Sequence, residues 1–74
     1  MTLRDCKLGN DVILQTVGGT PDCRRRLLEW GFLRGVRIRP IALGPAGGVI
    51  VALGDARVAI DARTAGTLIV EHPQ

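Results

Sequence analysis

Thr20-Pro21-Asp22-Cys23-Arg24-Arg25-Arg26-Leu27-Leu28-Glu29-Trp30-Gly31-Phe32-Leu33-Arg34-Gly35, residues 20–35, is the stretch whose reading decides the fold. Thr20 can cap a helix, Pro21 is preorganised for the first helical position, and Asp22 sits favourably against the helix dipole. Gly31 is the expected left-handed stop. The segment therefore predicts a helix running through Cys23 to Trp30. Cys23, Leu27 and Trp30 recur at i, i+4 and i+7 and share one face, with Arg24 and Leu28 on a neighbouring stripe. Arg25 and Glu29 can pair across one turn for about 0.3–0.5 kcal/mol.

Both flanks of this helix read as strand. Upstream, Leu3 to Gly9 is a lead-in turn with Leu3 and Leu8 as core anchors, and Val12 to Val17 is a strand closed by Gly18-Gly19. Downstream, Val36-Arg37-Ile38-Arg39 alternates apolar and charged, as a half-buried strand does. After Pro40 the apolar parity changes from even (Val36, Ile38) to odd (Ile41, Leu43), which predicts a bulge or sharp bend there. Gly44 to Gly48 is a loop, and Val49 to Leu53 is the strand expected to be most buried. Gly54-Asp55 turns into Arg57 to Ile60, Asp61 opens one helical turn to Gly66, and Thr67 to Glu71 is a last strand before a fraying His72-Pro73-Gln74. About five short strands with one inserted helix predict a mainly β chain, a small closed β-barrel.

Composition sets the limits. Seventy-four residues are read as one domain, 1–74; a core this small rarely supplies more than about 3–5 kcal/mol, which also makes self-association into a homo-oligomer plausible on size alone. At 46% hydrophobic and 23% charged the chain is not disordered. Trp30 and Phe32 are the only aromatics, so the interior is built from Val, Ile, Leu and Ala. Met1 to Lys7 lacks the apolar core of an export signal. The longest uncharged run, Pro40 to Gly54, is too short for a span of ~20 helical residues and is broken by prolines and glycines. A cytoplasmic protein with Cys6 and Cys23 as free thiols is expected.

Few residues suggest chemistry. There is no Ser, the lone His72 stands in the tail, and no residue pair suggests a positioned base, so no enzyme is expected. Asp55 and Asp61 read as turn and cap residues, and Gly44–Gly48 lacks the Lys-Ser/Thr of a phosphate cradle. Metal ligands announce themselves by close pairs such as C-x₂-C, whereas Cys6 and Cys23 are far separated in sequence. A metal-binding or metal-sensing protein would have to use Cys6, Cys23 or His72, and Asp5, Glu71 and His72 could gather only if the termini lie close. No bound cofactor is implied. The net charge of +3, carried by nine Arg and one Lys, permits an anionic partner without demanding one. Arg24-Arg25-Arg26, Arg34, Arg37 and Arg39 read first as a solvated face and second as a docking surface for an acidic partner. Nucleic acid is not expected, because two aromatics cannot form a stacking platform. Five large apolar side chains crowd the helix end, more than one inward stripe absorbs. Leu27 and Phe32 are read as core; Leu28, Trp30 and Leu33 should leave an exposed apolar patch, the mark of a partner surface.

Arg26-Leu27-Leu28-Glu29-Trp30-Gly31-Phe32-Leu33-Arg34-Gly35-Val36 resembles the FeoA signature, in which R-L-x-x-[apolar]-G-F-x-P-G closes the helix and enters the second strand. Gly9, Pro45, Gly47, Val58-Ala59-Ile60, Ala65, Leu68 and Val70 extend the resemblance over nearly the whole chain. The resemblance implies an SH3-like barrel, a cytosolic location and an accessory role in bacterial ferrous iron uptake, with the membrane transporter FeoB as partner. Arg34 stands where the family usually has Pro, Gly48-Val49 replaces a common Asp-Pro, and Asp61-Ala62 stand where Arg is frequent. The expected contact on a FeoB-type membrane iron transporter is the helix and its exit, through Arg24, Arg25, Leu28, Trp30, Leu33 and Arg34.

Overall fold

The computed structural model describes residues 1–73. After a 3-10 turn at Leu3–Asp5 come β1 (Val12–Val17), α1 (Pro21–Glu29), β2 (Arg37–Leu43) and a second 3-10 turn at Pro45–Gly47. Then follow β3 (Val49–Leu53), β4 (Ala56–Ile60), α2 (Ala62–Ala65) and β5 (Leu68–Glu71). The strands form one antiparallel sheet in the order β4-β3-β2-β1-β5. The chain is mainly β, with its main helix between the first and second strands.

Pro40 is where the sheet turns. The register of β2 against β3 shifts between Pro40 and Ala42, as the change of parity predicts. The first half of β2 pairs with β1 (Val12 with Ile38) and the rest with β3 (Arg39 with Ala52). One bent strand thus serves two halves of the sheet and wraps them around a common interior. A second shift, in β1 between Leu14 and Thr16 against β5, has no counterpart in the sequence reading.

Inside lie Leu3, Val12, Leu14, Leu27, Phe32, Ile38, Val49, Val51, Ile60, Ala65, Leu68 and Val70, with no buried polar residue among the described residues. Burying each of the larger aliphatic side chains contributes about 1.5–3 kcal/mol. β3 is the strand with no exposed residue, so the reading of Val49–Leu53 as the most buried holds. Leu3 is buried, whereas Leu8 is 45% exposed. That corrects its assignment as an anchor: the lead-in is tied by its backbone, Gly9 N–H donating to the Pro40 carbonyl at 2.7 Å.

α1 starts as its residues dictate. The Thr20 hydroxyl accepts from the Cys23 amide at 3.3 Å and Pro21 occupies the first position. Its exit is a left-handed Gly31 at φ +102°, after which the Phe32 amide returns to the Leu27 carbonyl at 3.0 Å. That turn drops Phe32 into the core. Trp30 is the C-cap rather than the last helical residue. The expected Arg25–Glu29 pair is replaced by Arg25–Asp22 at 2.9 Å. Both spacings meet on a helix surface, and the acidic residue one turn earlier takes the guanidinium.

The expected mainly β barrel forms, with a ladder that does not close on itself. β4 and β5 end the sheet without pairing to each other, because α2 carries the chain from β4 across to β1. The outer edge of β5 is covered by the N-terminus: Val70 N–H donates to the Met1 carbonyl at 2.8 Å, and Thr2 bridges to Ile69. His72 follows β5 as exposed irregular chain, and Gln74 lies outside the described residues.

Candidate functional site

α1 lies over the barrel with Leu27 inward, and its two flanks border different grooves. On the β1 side, Arg24, Leu28 and Arg34 line a groove of about 320 Å³ with Phe32 and Leu14 to Val17. On the side of β4 and α2, Trp30 and Arg26 line a second groove, of about 200 Å³, with Cys23, Ala59 and Thr64. Arg25 stands on the outer crest, held by Asp22 in an exposed pair. Leu28, Trp30 and Leu33 are 50%, 49% and 54% exposed. The sequence places all six residues at the helix and its exit; the structure gathers Arg24, Leu28 and Arg34 and turns Trp30 to the opposite flank. Helical phase explains the division, since positions 28 and 30 point about 200° apart at ~100° per residue.

The arginines separate in the same way. Arg24 and Arg34 form no ion pair among the described residues, so the β1-side groove has an unneutralised basic rim. Arg37 and Arg39 instead belong to the face of β2, where they share Asp11 with 3.3 Å and 2.7 Å contacts. The Arg39 hydrogen bond, with help from Arg37, holds the Asp11 carboxyl below its ordinary range. The single basic surface that the sequence allows is thus two surfaces.

The candidate metal ligands sit on different elements. Cys6 donates through Sγ to the Thr2 carbonyl at 3.4 Å, and burial, followed by the Asp5 charge, pushes its thiol pKa up. A raised pKa disfavours the thiolate that metals and electrophiles need. Cys23 Sγ lies 3.8 Å from the Thr64 hydroxyl. Asp5, of the conditional terminal cluster, accepts from the Thr2 hydroxyl at 3.0 Å. No three His, Cys, Asp or Glu side chains converge among the described residues.

Comparison with known proteins gives a consistent family signal. The family model described as FeoA domain matches residues 1–72. The zinc-complexed FeoA of Stenotrophomonas maltophilia, described as a prokaryotic SH3 domain protein and a candidate ferrous iron transport activating factor, is 32% identical. That match covers 96% of this chain and 89% of that one, with a TM-score of 0.81. The FeoA protein of Chlorobium tepidum matches in fold, with a TM-score of 0.91 at 24% identity over 100% of this chain and 71% of that one. Iron(II) transport protein A of Clostridium thermocellum matches with a TM-score of 0.87 at 20% identity, over 97% of this chain and 45% of that one. A comparison with curated proteins gives no match.

Proposed function

Because this chain belongs to the FeoA family, which is linked to ferrous iron transport, we propose that it is a cytosolic accessory protein that docks on a FeoB-type membrane iron transporter and modulates it. FeoA domains are accessory to transport and are not a known enzyme family. No helix among the described residues is long and apolar enough to cross a membrane.

One observation supports the reading most: Leu28 leaves large apolar surface in water in a groove shared with Arg24 and Arg34, which have no ion-pair partner among the described residues. Apolar anchors rimmed by arginine are what protein interfaces concentrate. Trp30, on the other flank, offers a second anchor, and Arg25 is already paired with Asp22.

Binding of the purified chain to the soluble cytosolic part of the transporter tests the proposal. Leu28→Asp and Trp30→Asp are compared with the parent by calorimetry, with circular dichroism as the check on folding. Leu28→Asp should weaken binding by more than about tenfold, a change of about 1.4 kcal/mol, at unaltered ellipticity. Unchanged affinity in both variants places the interface elsewhere.

A further inference from the structure

The outer face of β2, β3 and β4 carries positive charge that the folded chain does not neutralise. Arg39 pairs in register with Ala52, and Ala52 with Arg57, so the two arginines share a face of the sheet with a single methyl group between them. Two inter-strand spacings of ~4.8 Å set their Cα atoms about 10 Å apart. Arg37, two residues before Arg39, is bound to the same Asp11. Arg57 is exposed and has no ion-pair partner among the described residues. Three guanidiniums thus answer to one carboxylate. Together with Ile41, Ala52 and Gly54 they line a shallow groove of about 570 Å³, whose floor is the half-buried Ile41 and Ala52.

Asp11 also prepares this face. It accepts from Nε of Arg39 and from one terminal nitrogen of Arg37. A guanidinium has five N–H donors, so both terminal nitrogens of Arg39 remain unpaired among the described residues while its side chain is held in place. The side chains of Arg37 and Arg39 stay 60% and 53% exposed despite these bonds. An arginine already fixed loses less freedom on binding, and its planar fork matches a carboxylate.

We propose that this face is a second docking surface, separate from the grooves beside α1, and that it takes an acidic peptide segment of a partner protein. One carboxylate sits above Ala52 between Arg39 and Arg57, and a neighbouring apolar side chain rests on Ile41. The small Ala52 is what leaves the slot open. A nucleic acid suits the face less well. Its continuous run of phosphates would meet Asp11 among the arginines, and no aromatic ring lines the groove to stack its bases. A peptide presents its carboxylates singly, between apolar side chains, which is the pattern of this groove.

Titration of the intact, isotope-labelled chain with a synthetic peptide of alternating glutamate and valine, capped at both ends, tests this through amide chemical shifts. Saturable shifts are expected at Ala52, Gly54 and Arg57, with an affinity that falls steeply from about 0.05 to 0.5 M salt. Arg57→Ala, at an exposed position, should weaken binding by about threefold or more. Ala52→Glu puts a carboxylate into the slot and should abolish binding. Leu28→Asp should bind the peptide as the parent does, so that this surface and the grooves beside α1 stand or fall separately. The proposal is overturned by the absence of saturable shifts, by shifts confined to Leu28 and Arg34, or by equal binding of the same peptide with glutamine in place of glutamate. Tighter binding of a deoxythymidine oligonucleotide or of phosphatidylglycerol vesicles than of the peptide overturns it as well.

Discussion

Arg39 Nε donates to Asp11 Oδ1 at 2.7 Å, and because Arg37 reaches the other carboxylate oxygen at 3.3 Å, one aspartate fastens the chain ahead of β1 to β2. The Asp11 carboxyl is lowered in the folded state from an ordinary value of 3.8, so its contribution is present above that value and is lost as pH falls through the lowered one. Asp61, held by Thr64, shifts in the same direction. Thermal unfolding followed at several pH values should therefore show the midpoint dropping between about pH 5 and pH 2. Asp11→Asn should melt below the parent at neutral pH and converge with it in acid.

Phe32 is the largest side chain in the core and is fully buried. Phe32→Ala should cost about 3–5 kcal/mol, which matches or exceeds what a core of this size supplies, roughly 3–5 kcal/mol. The variant should lack a cooperative urea transition, whereas Phe32→Leu should retain one at a lower midpoint.

At Gly48 the constraint is space and not backbone conformation. Its φ of −71° suits any residue, yet a Cβ there would stand 2.8 Å from the Ile60 carbonyl oxygen. Gly48→Ala should destabilise by about 1–3 kcal/mol, as overpacking does, measured by denaturant titration.

The Cys6 thiol, raised by burial and by Asp5, should alkylate more slowly near pH 8 than a small-molecule thiol. Iodoacetamide labelling of a Cys23→Ser variant, which leaves Cys6 as the single thiol, measures this. The rate should climb as pH rises beyond 9, and unfolding in urea should abolish the difference.

The helix and the bend in β2 were readable because local chemistry specifies them: Thr20-Pro21 and Gly31 mark the ends, and Pro40 with a parity change marks the corner. Exposure of Leu28, Trp30 and Leu33 followed from counting more apolar side chains at a helix end than one stripe accepts. The features that escaped are set by distant partners. Nothing near Leu14 announces the second register shift, which arises from fitting β1 to β5. Leu8 looks like Leu3 in sequence, and only the backbone bond from Gly9 to Pro40 shows that its side chain is not needed. The arginines were readable as residues but not as two surfaces, because Arg24 with Arg34 and Arg37 with Arg39 are assigned to separate faces by the path of the chain around the barrel.

The bond from Val70 to Met1 reaches beyond local stability. Lying along β5, the first two residues occupy a margin whose backbone groups would otherwise be free to take up a foreign strand. Shaving them off would bare that margin and turn a finished edge into a sticky one.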